Sequence, residues 1–426
     1  MKYPYKTSNF TLSKLSIFFL FLLMLWSMWP WFAWTHAGFM TVAFGSCFLL
    51  LRLILCTKDR NNYTVVHSVL FVIFFILLVY FMTLLRNATG LMTIIHFVRI
   101  VMVFVFVMLM GKDEKKQIVA MVTTLYAWIV GISMIAYFFV IAGGNLPYSI
   151  VRVPENLFYP PFRNYGLFIL PDVQHNLDII PRFRSIFTEP GHLGTISALL
   201  LYINRYELRK KRVLIIFISV IISFALAAYV LAILGYFIQL IAKSKRIFKS
   251  LLKIITVSAL LIGIGVSFYV RYPENIVSIL ILSRFEHDET RGIQGNNRTT
   301  DDFDHFYETQ FLTSTENILW GMNLSEAEQW VLFGRGGNNS YRVFLLNNGV
   351  IALLLVFLMY FSIVAIAPSR LGFGLLLFCS VSFLQRVQIP FWEMQLFLFV
   401  GATQCFHAES CGESVSFQRN YVWIPK

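Results

Sequence analysis

The chain has 426 residues, 58% of them hydrophobic and 13% charged, with a formal net charge of +13. Soluble domains carry about 25% charged residues, so this composition excludes a water-soluble enzyme and requires that apolar surface face lipid. The basic residues sit in short clusters between apolar runs, which argues against a nucleic-acid surface and fits the positive-inside rule.

A hydrocarbon core takes about 20 apolar residues per helix. From the N-terminus, such runs fall at 15–35, 37–56, 64–85, 90–110 and 118–142. They continue at 191–205, 254–270, 343–367, 371–386 and 391–407. The first run follows Lys2, Lys6 and Lys14 and is too long and aromatic for a cleaved signal peptide, so it reads as a retained helix. The stretch 213–242 is too long for one upright helix and short for two. Arg209 to Arg212 precede it, and Lys243, Lys245, Arg246, Lys249 and Lys253 follow it. Both flanks therefore belong on the cytoplasmic side, and the stretch reads as a hairpin of two short helices turning near Ser223–Tyr229.

The expectation is one all-α integral membrane domain over 1–426, with about 12 transmembrane helices (between about 11 and 13) and both termini cytoplasmic. On that topology every lysine lies inside, and the basic residues outside are all arginines. Two outer loops are long: loop A at 144–191, rich in proline and aromatics, and loop B at 271–342, polar with helical stretches near 300–313 and 322–332. Residues 408–426 form a cytoplasmic tail. The cysteines, Cys47, Cys56, Cys379, Cys405 and Cys411, all avoid these loops, so no structural disulfide is expected.

No Walker, zinc-protease or nucleophile-elbow motif is present, and no acidic residue lies at mid-membrane depth. The strongest local pattern is Pro181-Arg-Phe-Arg-Ser-Ile-Phe-Thr-Glu-Pro-Gly-His192, just before an apolar helix. Arginine binds phosphate and stays charged when partly desolvated. Arg182, Arg184, Glu189 and His192 therefore read either as a diphosphate site or as interfacial arginines reaching lipid headgroups. Loop B supplies Arg284, Arg291 and Arg298, and an acidic cluster over 301–308 that reads as a solvated face. It ends in Phe333-Gly-Arg-Gly-Gly-Asn-Asn-Ser-Tyr341, then Arg342 and a helix with Asn347-Asn-Gly349. Arg99 should face the bundle interior in a structural role, and Arg52 should reach toward the inner interface.

The pattern Arg-x-x-x-Ile-Phe-x-Glu-Pro-Gly at 182–191, after a long outer loop, resembles the bacterial O-antigen and capsule repeat-unit polymerases of the Wzy type, within the O-antigen polymerase and ligase superfamily. The resemblance covers about 180–360 through the short hairpin near Ser223, Arg298 and the Asn-Ser-Tyr segment. It departs at Ala225–Ala228, where the family turn often carries Ser with Arg or Thr, and at Asn338-Asn339, where ligases show His-Asn.

The resemblance implies a GT-C-like membrane fold in the bacterial plasma (inner) membrane. It implies a metal-independent glycosyltransferase-type polymerase without cofactor, making O-antigen, capsule or exopolysaccharide from polyprenyl-diphosphate-linked oligosaccharides (undecaprenyl diphosphate in the family). Membrane lipids, a chain-length regulator and a flippase are the implied partners, and nucleic acid is not one. The implied catalytic set is Arg182, Arg184, Glu189 and Arg298, with Glu189 either a general base or a partner that orients an arginine. The implied substrate-binding set is His192, Arg291, Arg335, Asn339, Tyr341 and Arg342. The alternatives are an O-antigen ligase and a flippase or exporter of the same lipid-linked units.

Overall fold

A computed structural model describes residues 5–34, 37–56, 91–152, 161–172, 181–244, 247–272, 287–288, 292–293, 300–322, 341–385 and 393–411, with positions 324, 328 and 332. The expected span at 64–85, the expected helix over 322–332 beyond Met322, and most of the tail lie outside the described residues.

Apolar runs become helices close to where hydropathy sets them. Helix α1 is Tyr5–Ser27, α2 is Ala37–Cys56, α3 is Leu91–Leu109 and α4 is Lys112–Ile141. Next come α5 (Pro190–Ile203), α6 (Lys211–Ile222), α7 (Leu226–Lys243) and α8 (Ile247–Arg271). After loop B follow α11 (Tyr341–Ile366), α12 (Arg370–Gln385) and α13 (Glu393–Ser410), the numbers α9 and α10 belonging to short helices Asp301–Phe306 and Thr315–Trp320. Among the described residues α4, α7 and α11 are each long and apolar enough to cross a membrane, and several shorter apolar helices accompany them. The chain is thus a mostly helical, membrane-embedded protein.

The first run ends earlier than its hydropathy suggests. Trp29 takes φ 55, and Pro30, which has no N–H to continue a helix, opens a single 3-10 turn at Trp31–Ala33. The ambiguous stretch 213–242 is a hairpin: α6 and α7 are joined at Ser223–Ala225, where Phe224 takes φ 45. Arg52 finds a protein partner at the start of α4. It is 5% exposed and its Nη1 donates to both carboxylate oxygens of Glu114, at 2.9 and 3.0 Å. Arg99 is 7% exposed, inside the bundle as expected.

Helix α5 is the hub. Of its 14 residues all but Gly191 and His192 are buried. Tyr126 of α4 donates to Leu193 O at 3.1 Å and meets Ser197 Oγ at 2.9 Å, and Ser197 meets Ser219 of α6 at 3.0 Å. At the other end Tyr202 donates to Leu371 O at 3.1 Å and packs on Phe378 and Phe406. Gly194 lets α7 come close, since a side chain there would overlap Ala228 Cβ.

Loop A is not all coil. Strands β1 (Ser149–Val151), β2 (Phe162–Asn164) and β3 (Ile169–Pro171) form an antiparallel sheet in the order β1-β2-β3, with Arg163 opposite Ile150 and Leu170. Three-residue strands are too short for alternation to mark them in a sequence. Loop B contributes a two-residue pairing of β4 (His287–Asp288) with β5 (Gly292–Ile293). Its segment 300–322 packs Phe303, Tyr307 and Phe311 on Val343 and Leu346 of α11.

Candidate functional site

The segment 181–189 is extended and turned backbone, yet it is buried: Phe183, Ser185 and Phe187 are each 0% exposed. Irregular backbone inside an apolar bundle is stable only where protein groups satisfy its polar atoms. Those partners are present. Tyr137 Oη donates to Pro181 O at 2.5 Å. Phe183 N–H donates to Ile222 O at 3.2 Å, Ile169 N–H to Ser185 O at 3.0 Å, and Trp31 N–H to Ile186 O at 2.9 Å. Ser185 takes φ 52 at the turn, and its Oγ donates to Ser133 Oγ at 2.8 Å. Four elements thus hold one short stretch: α4, the turn after α1, the loop-A sheet and the hairpin.

The alternation of an extended chain puts Phe183 inward and leaves Arg182 and Arg184 half-buried on the other side. Their side chains then diverge. Arg182 Nε reaches Ser223 O at 3.4 Å, at the C-terminal end of α6. The last carbonyls of a helix lack partners within it and carry partial negative charge, which favours a guanidinium there. The Arg182 Nε and the Phe183 backbone N–H together cap α6. Arg184 Nη1 donates to Thr188 O at 2.8 Å, and its Cζ stands 5.4 Å from the ring centre of Phe162 in β2.

Glu189 is the N-cap residue of α5, in extended conformation with φ −122, and Pro190 follows at the first helical position. Proline suits that position because its missing N–H would be unpaired anyway. A carboxylate at a helix N-terminus is favoured by the dipole. His192 Nε2 lies 4.0 Å from Glu189 Oε2, one turn on. The structure therefore brings Arg184, Glu189 and His192 to the N-terminal end of α5 and Arg182 to the C-terminal end of α6.

At 14 residues α5 is about 21 Å long, against about 30 Å of hydrocarbon. A helix this short does not span the hydrocarbon by itself, and a buried non-helical segment precedes it. Tyr341 and Arg342 open α11 instead. Arg342 Nη1 donates to Asp304 Oδ1 at 2.5 Å and its Cζ lies 5.5 Å from the Tyr307 ring centre, so it fastens segment 300–322 to α11. Asp301, Asp302 and Glu308 of the acidic cluster are exposed. Arg291, Arg298, Arg335 and Asn339 lie outside the described residues.

No protein-family model matches the chain, and neither does a curated protein or a solved structure.

The residues that build the site went unread in the sequence. Tyr126, Tyr137, Ser133 and Gly194 look like ordinary members of apolar helices. The one available signal was polarity: a serine or tyrosine hydroxyl inside an apolar run needs a partner, and these find the carbonyls of 167, 181 and 193.

Proposed function

We propose that the protein is a membrane polymerase that joins polyprenyl-diphosphate-linked oligosaccharide repeat units at the outer face of a bacterial plasma membrane. The observation that supports this most is the largely buried, non-helical 182–189 segment, which carries two arginines and leads into a Glu–His pair at the start of the central helix α5. The likeness of its residues to the polymerase pattern supplies the reaction. In this proposal the chain has twelve spans with both termini cytoplasmic and a GT-C-like fold, so 182–192 faces outward.

In the reaction a hydroxyl of one repeat unit attacks the anomeric carbon of another. The bond from that carbon to the diphosphate oxygen breaks, the lipid diphosphate leaves with the electron pair, and the hydroxyl proton goes to a base. Charge builds on the leaving group, and prearranged guanidinium groups lower the barrier by meeting it. Arg182 and Arg184 take that role. Glu189 either accepts the hydroxyl proton or orients an arginine. The likeness to the polymerase pattern assigns Arg298 to the diphosphate and Arg291, Arg335, Asn339, Tyr341 and Arg342 to the sugar.

The test is the size distribution of the surface polysaccharide after deletion of the gene and its return as wild type or as Arg182→Ala. Deletion should leave single repeat units on the surface, wild type should restore the ladder, and Arg182→Ala at equal protein level should not. A full ladder from Arg182→Ala sinks the arginine clamp. Loss of all surface polysaccharide, with lipid-linked units stalled on the inner face, points to a flippase instead.

A further inference from the structure

The two faces of strand β2 do different things. Phe162 and Asn164 point inward, at 0% and 7% exposed, and Phe162 lies under Arg184. Arg163 points the other way, where several side chains converge on it. Its Nε donates to Asp172 Oδ1 at 2.6 Å, and its Cζ stands 5.3 Å from the ring centre of Tyr148. The Tyr148 and Tyr165 rings are 5.5 Å apart at 52°. Tyr165 in turn lies flat on Phe168, 4.6 Å away at 6°.

This cluster is open yet fixed in place. Tyr148 is 50% exposed, and the side chains of Arg163 and Asp172 are each 34% exposed. The turn beneath is held by Tyr165 N–H to Phe168 O at 3.0 Å and by Gly166 N–H to Asn164 Oδ1 at 2.8 Å. Trp31 Nε1 donates to Gly166 O at 3.2 Å, and Asp172 N–H to Pro161 O at 2.7 Å. Gly166 has φ 79, a conformation that tolerates little else. A half-exposed ion pair contributes little to stability, so fold stability alone does not account for the assembly.

We infer that Tyr148, Arg163, Tyr165 and Asp172 form a saccharide-binding patch on the outward face of the loop-A sheet. A sugar ring presents two kinds of surface: flat patches of C–H and adjacent hydroxyls that both donate and accept. Tyrosine faces suit the first. A guanidinium beside a carboxylate suits the second, giving a donor to one hydroxyl and an acceptor to its neighbour. A phosphate is disfavoured by the Asp172 carboxylate, and an apolar chain would desolvate the pair without replacing its water. The hydrogen bond to Asp172 outweighs partial burial and raises the Arg163 pKa above its ordinary value.

The binding claim stands on this patch alone. Its place in the reaction rests on the proposed function: residues 162 and 163 are neighbours on opposite faces, so a sugar chain seated at Arg163 is tied to the segment of Arg184 through one strand.

The experiment uses the full chain in lipid nanodiscs and, as probe, lipid-free oligosaccharides released by mild acid from the producing cell's surface polysaccharide. Saturation-transfer NMR and titration calorimetry report binding. Wild type should bind saturably. Tyr148→Ala and Asp172→Asn should each weaken binding at least about tenfold, the loss expected for a contact to a charged or stacked group. Both positions are at the surface, so melting temperatures should not change. Tyr148→Phe, which keeps the ring, should bind as wild type does. Absence of binding to wild type overturns the proposal, as does undiminished binding by both variants, or loss of binding in Tyr148→Phe. Patch-dependent binding together with an unchanged polysaccharide ladder in the deletion strain would leave the patch standing and remove the polymerase.

Discussion

Gly194→Ala should separate the hairpin from the site it supports. A Cβ at Gly194 would stand 3.5 Å from Ala228 Cα and 3.7 Å from Ala225 Cβ, both tolerable, but would overlap the Ala228 Cβ. Carbon atoms pack at about 3.5–4.0 Å, so the start of α7 must retreat by about 1 Å. Ala228 is fully buried and has no room to turn aside. Overpacking of this kind costs about 1–3 kcal/mol. The same retreat stretches the bonds from Phe183 N–H to Ile222 O and from Arg182 Nε to Ser223 O, each worth about 1 kcal/mol. Replacing a helical glycine by alanine returns about 1 kcal/mol of helix propensity, so the expected net loss is about 2–4 kcal/mol. Ala228→Gly alone should cost about 1 kcal/mol through helix propensity. The double variant should recover most of the first loss, a coupling of about 1–3 kcal/mol. Denaturation of the four proteins in detergent, followed by tryptophan fluorescence, completes the cycle. Strictly additive losses, or a Gly194→Ala protein as stable as wild type, would refute the close approach of α5 and α7.

Two further outcomes concern the docking of loop B on α11. Gly349 has φ 72 and ψ 175, a region that is essentially glycine's own, and a Cβ there would overlap the backbone of Leu319. Gly349→Ala should cost about 1–3 kcal/mol in backbone strain alone, read as faster protease cleavage within 300–322; unchanged cleavage would mean the segment is not seated there. Burial raises the Tyr307 hydroxyl above its ordinary value of 10.0. A raised folded value stabilises the docked segment fully below the unfolded pKa, and that contribution falls as pH rises from about 10 through the folded value. Hydrogen exchange of 300–322 should therefore quicken above about pH 10 in wild type, and this added pH dependence should be absent from Tyr307→Phe.

Much of the helical architecture was legible because burial in lipid leaves a one-dimensional mark. Runs of about 20 apolar residues must be helical, since only helices satisfy their own backbone there. Charge on both flanks made the hairpin legible for the same kind of reason: Arg209 to Arg212 and Lys243 want water on one side, so the chain between must return. The 182–192 segment was also visible, as a density of arginine, proline and glutamate next to an apolar helix.

What holds that segment was not visible. Tyr137 and Ser133 of α4, Trp31 after α1, Ile169 in β3 and Ile222 in α6 are far from it in sequence, and each contributes one hydrogen bond. Composition carries no record of which carbonyl a hydroxyl will meet. The roles of individual charges were likewise undecided until partners came together. Arg52 turned to Glu114, Arg342 to Asp304 and Arg163 to Asp172, because a guanidinium takes the nearest carboxylate that folding delivers. The sequence by itself determined that this chain lives in a membrane and where its helices and charges fall, since transfer from water depends on local composition. The tertiary structure alone decided which arginines are spent on partners and which segment is held, buried and unwound, at the head of the central helix, since those choices depend on distances between residues remote in the chain.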